Sequence, residues 1–468
     1  MTVNKIAICP ICKKRTWLRI TDGGYLKEYP VRVHCMNCRA LIKGVYATTG
    51  AVTSPGKLTL VNAECVIDPT SDRCSGSDYV AEISGELPCK KVRVCDGNLK
   101  QDSVFLRTEP HIDMMRRIEQ LKKFNTNLDE WKRTRSTAFQ LLNEGGIEYI
   151  AVALGNRMGD YKYQCDHYLK SLHCLQYIVL TDTQNIFFEE SQHECIRKMI
   201  NHIAPIDREA LHMLIERTGG IANLLSAYRK VVEVFSSFMS IYSNLLPAET
   251  LMQYRDKDID DLGIATCSFT DIKTFYQDAY EALLPLMYIP ICIDNIIQRN
   301  DYRVFHPRVF QGLQKRGGPY ADDFEWFLSL DNGMKLSRIQ NSEYLQSVVN
   351  LSGDRHLRNG IGHNNIKYDG LTQTITAYDL KDPSREYSFS LTQMATACLK
   401  IAKSAVILSE MILFLLRFEY GKEGIRSILP IERYENTGLY DLCPCGSNQK
   451  YKWCCKAGVD QVRGKISR

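Results

Sequence analysis

Arg358, Asn359 and His363 bring together, within one short run of the chain, a guanidinium, an amide and an imidazole. A site that must hold a phosphate and move a proton needs such groups. Arginine is a permanently charged planar donor, and histidine is an acid or base that titrates near neutrality. On an α-helix Asn359 and His363 are four residues apart and share a face, which Arg358 flanks. Arg355 and His356 lie one turn earlier, as accessory phosphate contacts or as solvated surface. A role without chemistry is also open: Arg358 paired with a carboxylate such as Asp354, and His363 a satisfied, partly buried side chain.

A second set of chemistry-bearing residues is the cysteines. Eight of the eighteen fall into two groups at opposite ends of the chain. Cys9-Pro10-Ile11-Cys12 and Cys35-Met36-Asn37-Cys38 are two knuckles separated by 22 residues. Cys443, Cys445, Cys454 and Cys455 form a Cys-x-Cys-x8-Cys-Cys set. Four thiolates suit a tetrahedral Zn²⁺ and leave no open position, so two structural sites are expected rather than a catalytic one. Cys65, Cys74, Cys89 and Cys95 lack knuckle spacing and are expected to be buried free thiols, a further metal being the alternative. The groups Cys165-Asp166-His167, His173-Cys174 and His193-Glu194-Cys195 match no standard metal spacing. The acidic run Asp256–Asp261 is expected to be a solvated linker and helix start rather than a nuclease site.

Composition sets the frame. The chain has 468 residues, 44% apolar and 24% charged, enough for real cores and too apolar for a largely disordered chain. Metal-spaced cysteines and the lack of an N-terminal apolar stretch predict a cytoplasmic protein with no signal peptide and no membrane partner. The net charge of +5 is uneven. Residues 1–100 carry 15 Lys/Arg against 9 Asp/Glu, and residues 436–468 carry 6 against 2, so the body between is acidic. A positive surplus in the two cysteine modules fits contact with RNA or a ribosome, or simply offsets thiolate charge.

The elements that must position these residues follow from periodicity. Thr16–Ile20 and Tyr29–Val33 alternate around Gly23-Gly24 and predict a hairpin-rich zinc ribbon; Lys57–Val61, Tyr79–Ser84 and Lys90–Cys95 predict further strands. From about residue 111 the pattern becomes helical: 112–123, 128–143, 193–203, 208–218 and 221–245, with breaks at Pro205 and Pro247. A helix over 270–297, shorter ones at 322–330 and 343–351, a hairpin of Thr374–Tyr378 with Tyr387–Ser390, and a long buried helix over 391–418 complete the list. The fold class is mainly α: a multi-helix body, a small N-terminal β zinc-ribbon domain and a C-terminal zinc knuckle. The expected divisions are a β domain over 1–100, a helical middle over 101–262, a helical bundle over 266–425 and a knuckle over 436–460. No Walker A loop, kinase set, Rossmann fingerprint or nucleophile elbow is present, so no nucleotide cofactor is expected.

Two resemblances sharpen this reading. Arg358-Asn359-x-x-x-His363, at the start of a helix that follows a long helix and precedes an apolar one, resembles the signature of HEPN domains over residues 269–420. That resemblance implies a metal-independent endoribonuclease in which the RNA 2′-OH attacks its own 3′-phosphate, leaving a 2′,3′-cyclic phosphate. It implies His363 as general acid/base, Arg358 on the phosphate, Asn359 orienting His363 or contacting the phosphate, and a homodimer that completes the site. A toxin or anti-phage effector restrained by an antitoxin is the associated role. Cys443-Pro444-Cys445-Gly446-Ser447, with Lys450-Tyr451-Lys452-Trp453-Cys454-Cys455, closely resembles the SEC-C motif at the end of the translocation motor SecA. It implies a zinc knuckle that docks a partner such as a SecB-like chaperone or the ribosome through Lys450, Lys452, Trp453 and Lys456. A non-catalytic adaptor using both zinc ends is the alternative function.

Overall fold

The computed structural model describes residues 2–50, 54–66, 78–91, 93–94, 103–146, 149–154, 167–186, 207–255, 260–313, 320–339, 355–425, 434–444, 449–457 and 459–460. The protein is mainly α-helical with small β-sheets in its N-terminal region. The strands are β1 (Thr2–Ile8), β2 (Arg15–Thr21), β3 (Glu28–His34), β4 (Leu41–Ala47), β5 (Lys57–Leu60), β6 (Glu64–Val66), β7 (Tyr79–Ser84), β8 (Cys89–Lys90), β9 (Arg93–Val94), β10 (Leu262–Gly263), β11 (Ile366–Asp369), β12 (Thr374–Tyr378) and β13 (Glu386–Ser390). The helices used below are α1 (Met114–Thr134), α2 (Tyr168–Ile186), α3 (Arg208–Arg217), α4 (Gly220–Met252), α5 (Phe269–Leu283), α6 (Tyr288–Arg299), α7 (Asp323–Ser329), α8 (Arg355–Gly362) and α9 (Leu391–Lys422). The expected helices at 193–203 and 343–351, and Cys74, Cys95, Cys165, Cys195 and Cys445, lie outside the described residues.

The chain divides into two compact units. The first takes Met1–Thr126, Ser237–Ala279 and Ser352–Ile401; the second takes Asn127–Ser236, Tyr280–Leu351 and Ala402–Arg468.

In the first unit β6-β1-β2-β7-β9 form one sheet and β3-β4-β5 another. The expected hairpins are present, but the alternating segments on either side of Gly23-Gly24 pair in different sheets and not with each other. β2 lies between β1 and a parallel β7 and is buried along nearly its whole length, as a strand covered on both faces must be. β3 keeps a one-sided alternation and pairs with β4. The chain leaves the first sheet at Asp22. Its carboxylate accepts from Gly24 N at 3.0 Å, Tyr46 Oη at 2.9 Å and Gly56 N at 3.3 Å, fixing a turn in which Gly24 has φ +71°. Each cysteine knuckle therefore closes a hairpin of its own, β1–β2 or β3–β4.

Pro247 also departs from expectation. It sits inside α4 instead of ending it. A proline within a helix removes a hydrogen bond and crowds the preceding turn. Side chains from elsewhere hold the backbone of the turn that precedes it. Thr266 Oγ1 donates to the Asn244 carbonyl at 2.6 Å, and Arg117 Nη2 donates to that of Leu246 at 3.1 Å. Arg117, fully buried, also binds Glu249 at 3.0 Å and Thr250 at 3.1 Å, so its charge is paired.

In the second unit Trp131 packs edge-on against Phe139 and Phe235 at centroid separations of 5.4 and 5.0 Å. The C-terminal part of α9 is buried nearly all round, as its sequence predicts. Its polar positions have partners: Gln176 Nε2 donates to Ser409 Oγ at 3.0 Å and to Glu410 Oε1 at 3.1 Å, and Arg417 donates to His173. The single helix expected over 270–297 is broken instead into α5, a 3₁₀ turn at Leu284–Met287 and α6, because Pro285 opens that turn. The run Phe269–Arg299 is apolar and long enough to cross a bilayer by composition, and 72% of its apolar window is buried within the protein.

Candidate functional site and cysteine centres

Helix α8 carries the Arg358, Asn359 and His363 set, and its shape is dictated by the strand beneath it. Leu357, Gly360 and Ile361 face inward. A Cβ on Gly360 would lie 2.8 Å from Ala377 Cβ on β12 and 3.3 Å from the Asn365 carbonyl, so only glycine lets the backbone approach so closely. The helix then stops within one residue. Asn364 takes φ +55°, Asn365 N donates to the Gly360 carbonyl at 2.8 Å and Asn364 N to that of Ile361 at 3.1 Å, the two bonds of a Schellman cap. Asn365 next clasps Tyr378 in both directions, at 3.0 and 3.1 Å, and β11 begins.

The set therefore sits at the end of a short helix followed by a three-stranded sheet, not at the start of a helix as the sequence suggested. The cause is local: an asparagine pair suited to a left-handed cap directly follows His363. His363 is the cap residue, and its own N–H binds the Asn359 carbonyl at 2.9 Å. Arg355, Asn359 and His363 recur every four residues and form one exposed stripe; Arg358 is half-buried beside it. Lys273 Nζ reaches Asn364 Oδ1 at 3.5 Å and adds a cation near the cap. His356 is not a freely solvated side chain. Its ring stacks on Tyr387 at 3.6 Å, and its Nε2 accepts from Arg355 Nε at 3.2 Å. Tyr387 is a member of this surface that sequence reasoning missed. Its position on the hairpin was legible, but its pairing with His356 depends on the turn between them.

The N-terminal cysteine centre is built from two knuckles of the same design. Cys9 N binds the Lys14 carbonyl and Lys13 N binds that of Cys9; Cys35 N binds that of Ala40 and Arg39 N that of Cys35. Lys13 and Arg39, each one residue past the second cysteine, both adopt the left-handed conformation, φ +60° and +63°. The hairpins bring Cys9, Cys12, Cys35 and Cys38 together with all sulfurs within 4.8 Å of one another. Cys9 Sγ is 3.4 Å from that of Cys38, and Cys12 Sγ 3.5 Å from that of Cys35. A tetrahedral Zn²⁺ with bonds of ~2.3 Å spaces its sulfurs about 3.8 Å apart, so these four residues fit such an ion after a small expansion. The Lys14 backbone N–H holds the Cys12 thiol down at about 6, whereas burial pushes Cys35 up to about 12. A bound dication overrides both by taking the thiolates.

At the other end, Cys443 N binds the Gln449 carbonyl at 2.7 Å and Tyr451 N that of Asp441 at 2.8 Å, closing a small loop. A 3₁₀ turn at Tyr451–Trp453 then turns Cys454 and Cys455 to the same side, with sulfurs 3.8 Å apart. Cys443, Cys454 and Cys455 lie within 4.8 Å of one another and could hold a metal such as zinc. Tyr434 and Tyr451 stack at 5.4 Å and, with Val459, form a small core under the centre. Outside, Trp453 and Tyr440 are 61% and 59% exposed and meet edge-on at 6.0 Å. Lys450 Nζ is 5.6 Å from both rings, and Lys452 Nζ 5.3 and 6.0 Å from Tyr440 and Trp453. Lys456 instead pairs with Asp460 one turn on.

His212, Glu216 and Glu419 form a third donor group that the sequence did not suggest. Both Glu419 oxygens lie 3.2 Å from His212 Nδ1, and Lys422 Nζ is 3.6 Å from the same carboxylate. The ammonium beside Glu419 makes this an ion-pair network.

Comparison with known proteins locates one part of the chain. A segment is similar to the protein translocase subunit SecA. Identity is 34% over 102 residues with the protein of Alkaliphilus oremlandii, covering 21% of this chain and 11% of that one. For Clostridium tetani it is 26% over 137 residues, and for Clostridium novyi 29% over 136, each covering 26% of this chain and 14% of the relative. The chain thus spans about a seventh or less of the length of these relatives. The likeness corresponds to SecA's C-terminal zinc region, in keeping with the Cys443–Cys455 module. No family model and no solved structure matches the chain.

Proposed function

We propose that the protein is a metal-independent endoribonuclease of HEPN type, with its chemistry at the end of α8. The observation that carries this reading is the arrangement on that helix. His363 and Asn359 stand exposed one turn apart, Arg358 lies alongside, and the Gly360 contact and the Schellman cap fix their backbone. His363 takes the proton from the ribose 2′-OH and returns one to the leaving 5′-oxygen. Arg358 holds the phosphate and its growing charge. Asn359 orients His363 or the phosphate, and Arg355 extends the cationic stripe. A homodimer of this site, and a toxin or anti-phage role under an antitoxin, follow from the same resemblance. Both cysteine centres hold structural Zn²⁺ and take no part in the reaction.

A second reading is favoured by the C-terminal module. An exposed Tyr440–Trp453 pair flanked by Lys450 and Lys452 offers an amphipathic cationic face, and the SecA relatives carry a similar region. In that reading the chain is a non-catalytic adaptor for a ribosome, a SecB-like chaperone or nucleic acid.

One experiment separates the two. Wild type, Arg358→Ala and His363→Ala are incubated with total RNA under EDTA at a concentration that leaves the protein's metal content unchanged. Cleavage by wild type alone, leaving 2′,3′-cyclic phosphate ends, with melting temperatures unchanged among the three, supports the enzyme. RNA binding without cleavage in any condition rejects it in favour of the adaptor.

A further inference from the structure

We infer that the N-terminal cysteine centre is the clamp that holds the candidate RNA site in shape, so that a metal outside the chemistry governs whether the site exists. This inference concerns the regulation of the α8 site and rests on the ribonuclease reading for its functional consequence.

The contacts run through one unit of the chain. The Cys35–Cys38 knuckle is flanked by His34, the last residue of β3, and Arg39, the left-handed residue that closes the turn. Both reach β11. Arg39 Nη1 pairs with Asp369 Oδ2 at 3.3 Å. The His34 ring meets Tyr368 edge-on at 6.1 Å and occupies the space above Gly370, where a Cβ would come within 2.2 Å of it. β11 pairs in turn with β12, Ile366 opposite Ala377 and Asp369 opposite Thr374. Ala377 is the residue on which Gly360 of α8 rests. From the knuckle to the backbone beneath Asn359 and His363 there are thus two strands and no gap.

The strength of these links differs. Arg39–Asp369 is a solvent-exposed ion pair, and such pairs contribute little by themselves. The His34–Gly370 approach is close, leaving no room for a side chain at position 370 while the His34 ring stays in place. Both depend on a knuckle whose closing residue is held at positive φ, a conformation that persists only where its surroundings enforce it. A dication binding all four cysteines provides that enforcement. Without it the knuckle is free to open, His34 and Arg39 lose their fixed positions, and β11 loses its outer support.

The test uses the full-length protein and reads hydrogen exchange across 355–378 together with metal content and RNA cleavage. Cys38→Ser removes a ligand. His34→Ala combined with Arg39→Ala keeps all four ligands and removes the contacts. In Cys38→Ser, the clamp predicts one metal equivalent lost, exchange across 365–378 accelerated at least tenfold, and cleavage lowered by a similar factor. In the double variant it predicts full metal content with the same loss of protection. Exchange in α3 stays as in wild type in both. Cys454→Ser, which empties the other centre, leaves 355–378 unchanged. The inference is overturned by protection within twofold of wild type in either of the first two variants, or by an equal loss in Cys454→Ser. If wild type cleaves no RNA, the ribonuclease reading fails while the exchange data still decide the clamp.

Discussion

At the scale of single residues, the most telling groups are those whose identity is fixed by what touches them. Glu86 is fully buried and accepts weakly from Leu26 N at 3.4 Å and Ser84 Oγ at 3.5 Å, close to Asp22 and Tyr25. Burial pushes its carboxyl up to about 7, against ~4.3 in an unfolded chain. The folded state therefore holds this proton more tightly. The stability it contributes is complete below pH ~4.3 and is lost as pH rises through about 7, in all roughly 4 kcal/mol. Glu86→Gln removes that loss. Its melting temperature should exceed wild type at pH 8, with the difference shrinking steadily toward pH 4, as differential scanning fluorimetry would show. Equal pH profiles for the two proteins would refute the assignment. Neither this carboxylate nor the Tyr387 stack was legible in the sequence, because both depend on partners far away in the chain.

Among elements, α8 shows what periodicity captures and what it misses. The stripe of Arg355, Asn359 and His363 follows from helical spacing alone. The sequence also marks Gly360 and Gly362 as poor helix formers, but does not say why one is required. Gly360 sits against Ala377, whereas a Cβ on Gly362 would meet nothing within 4 Å. Gly360→Ala should lower stability by about 1–3 kcal/mol despite its better helix propensity, because the helix must rise off β12. Gly362→Ala should be neutral or slightly stabilising. Chemical denaturation of the pair decides the matter, and a stabilised Gly360→Ala would sink the packing argument. The knuckles show the opposite balance. Cysteine spacing announced both centres. The partition of Thr16–Ile20 and Tyr29–Val33 between two sheets did not show, because the deciding contacts of Asp22 come from Tyr46 and Gly56. Pro247 misled for the same reason: the donors that hold the neighbouring carbonyls, Thr266 and Arg117, are distant in sequence.

For the whole molecule, the two cysteine centres belong to different units, Cys9–Cys38 to the first and Cys443–Cys455 to the second. Metal binding at one is accordingly expected to be independent of the other. Purified protein should carry two metal equivalents by elemental analysis, Cys12→Ser and Cys454→Ser should each remove one, and the double variant both. Loss of both ions from either single variant would show a shared centre. Mainly helical architecture with an N-terminal β region was legible from composition and pattern. The way the chain is distributed between units was not, because no local signal records which distant segments will pack together.

That distribution has a consequence for how the protein comes into being. The first unit is assembled from three stretches that end at Thr126, Ala279 and Ile401. During synthesis the N-terminal sheets must wait for α5, and then for α8 and β11–β13, before their surface is covered. Such non-local closure slows folding and leaves apolar faces open in the interval. The first unit therefore cannot close until the stretch that ends at Ile401 has emerged.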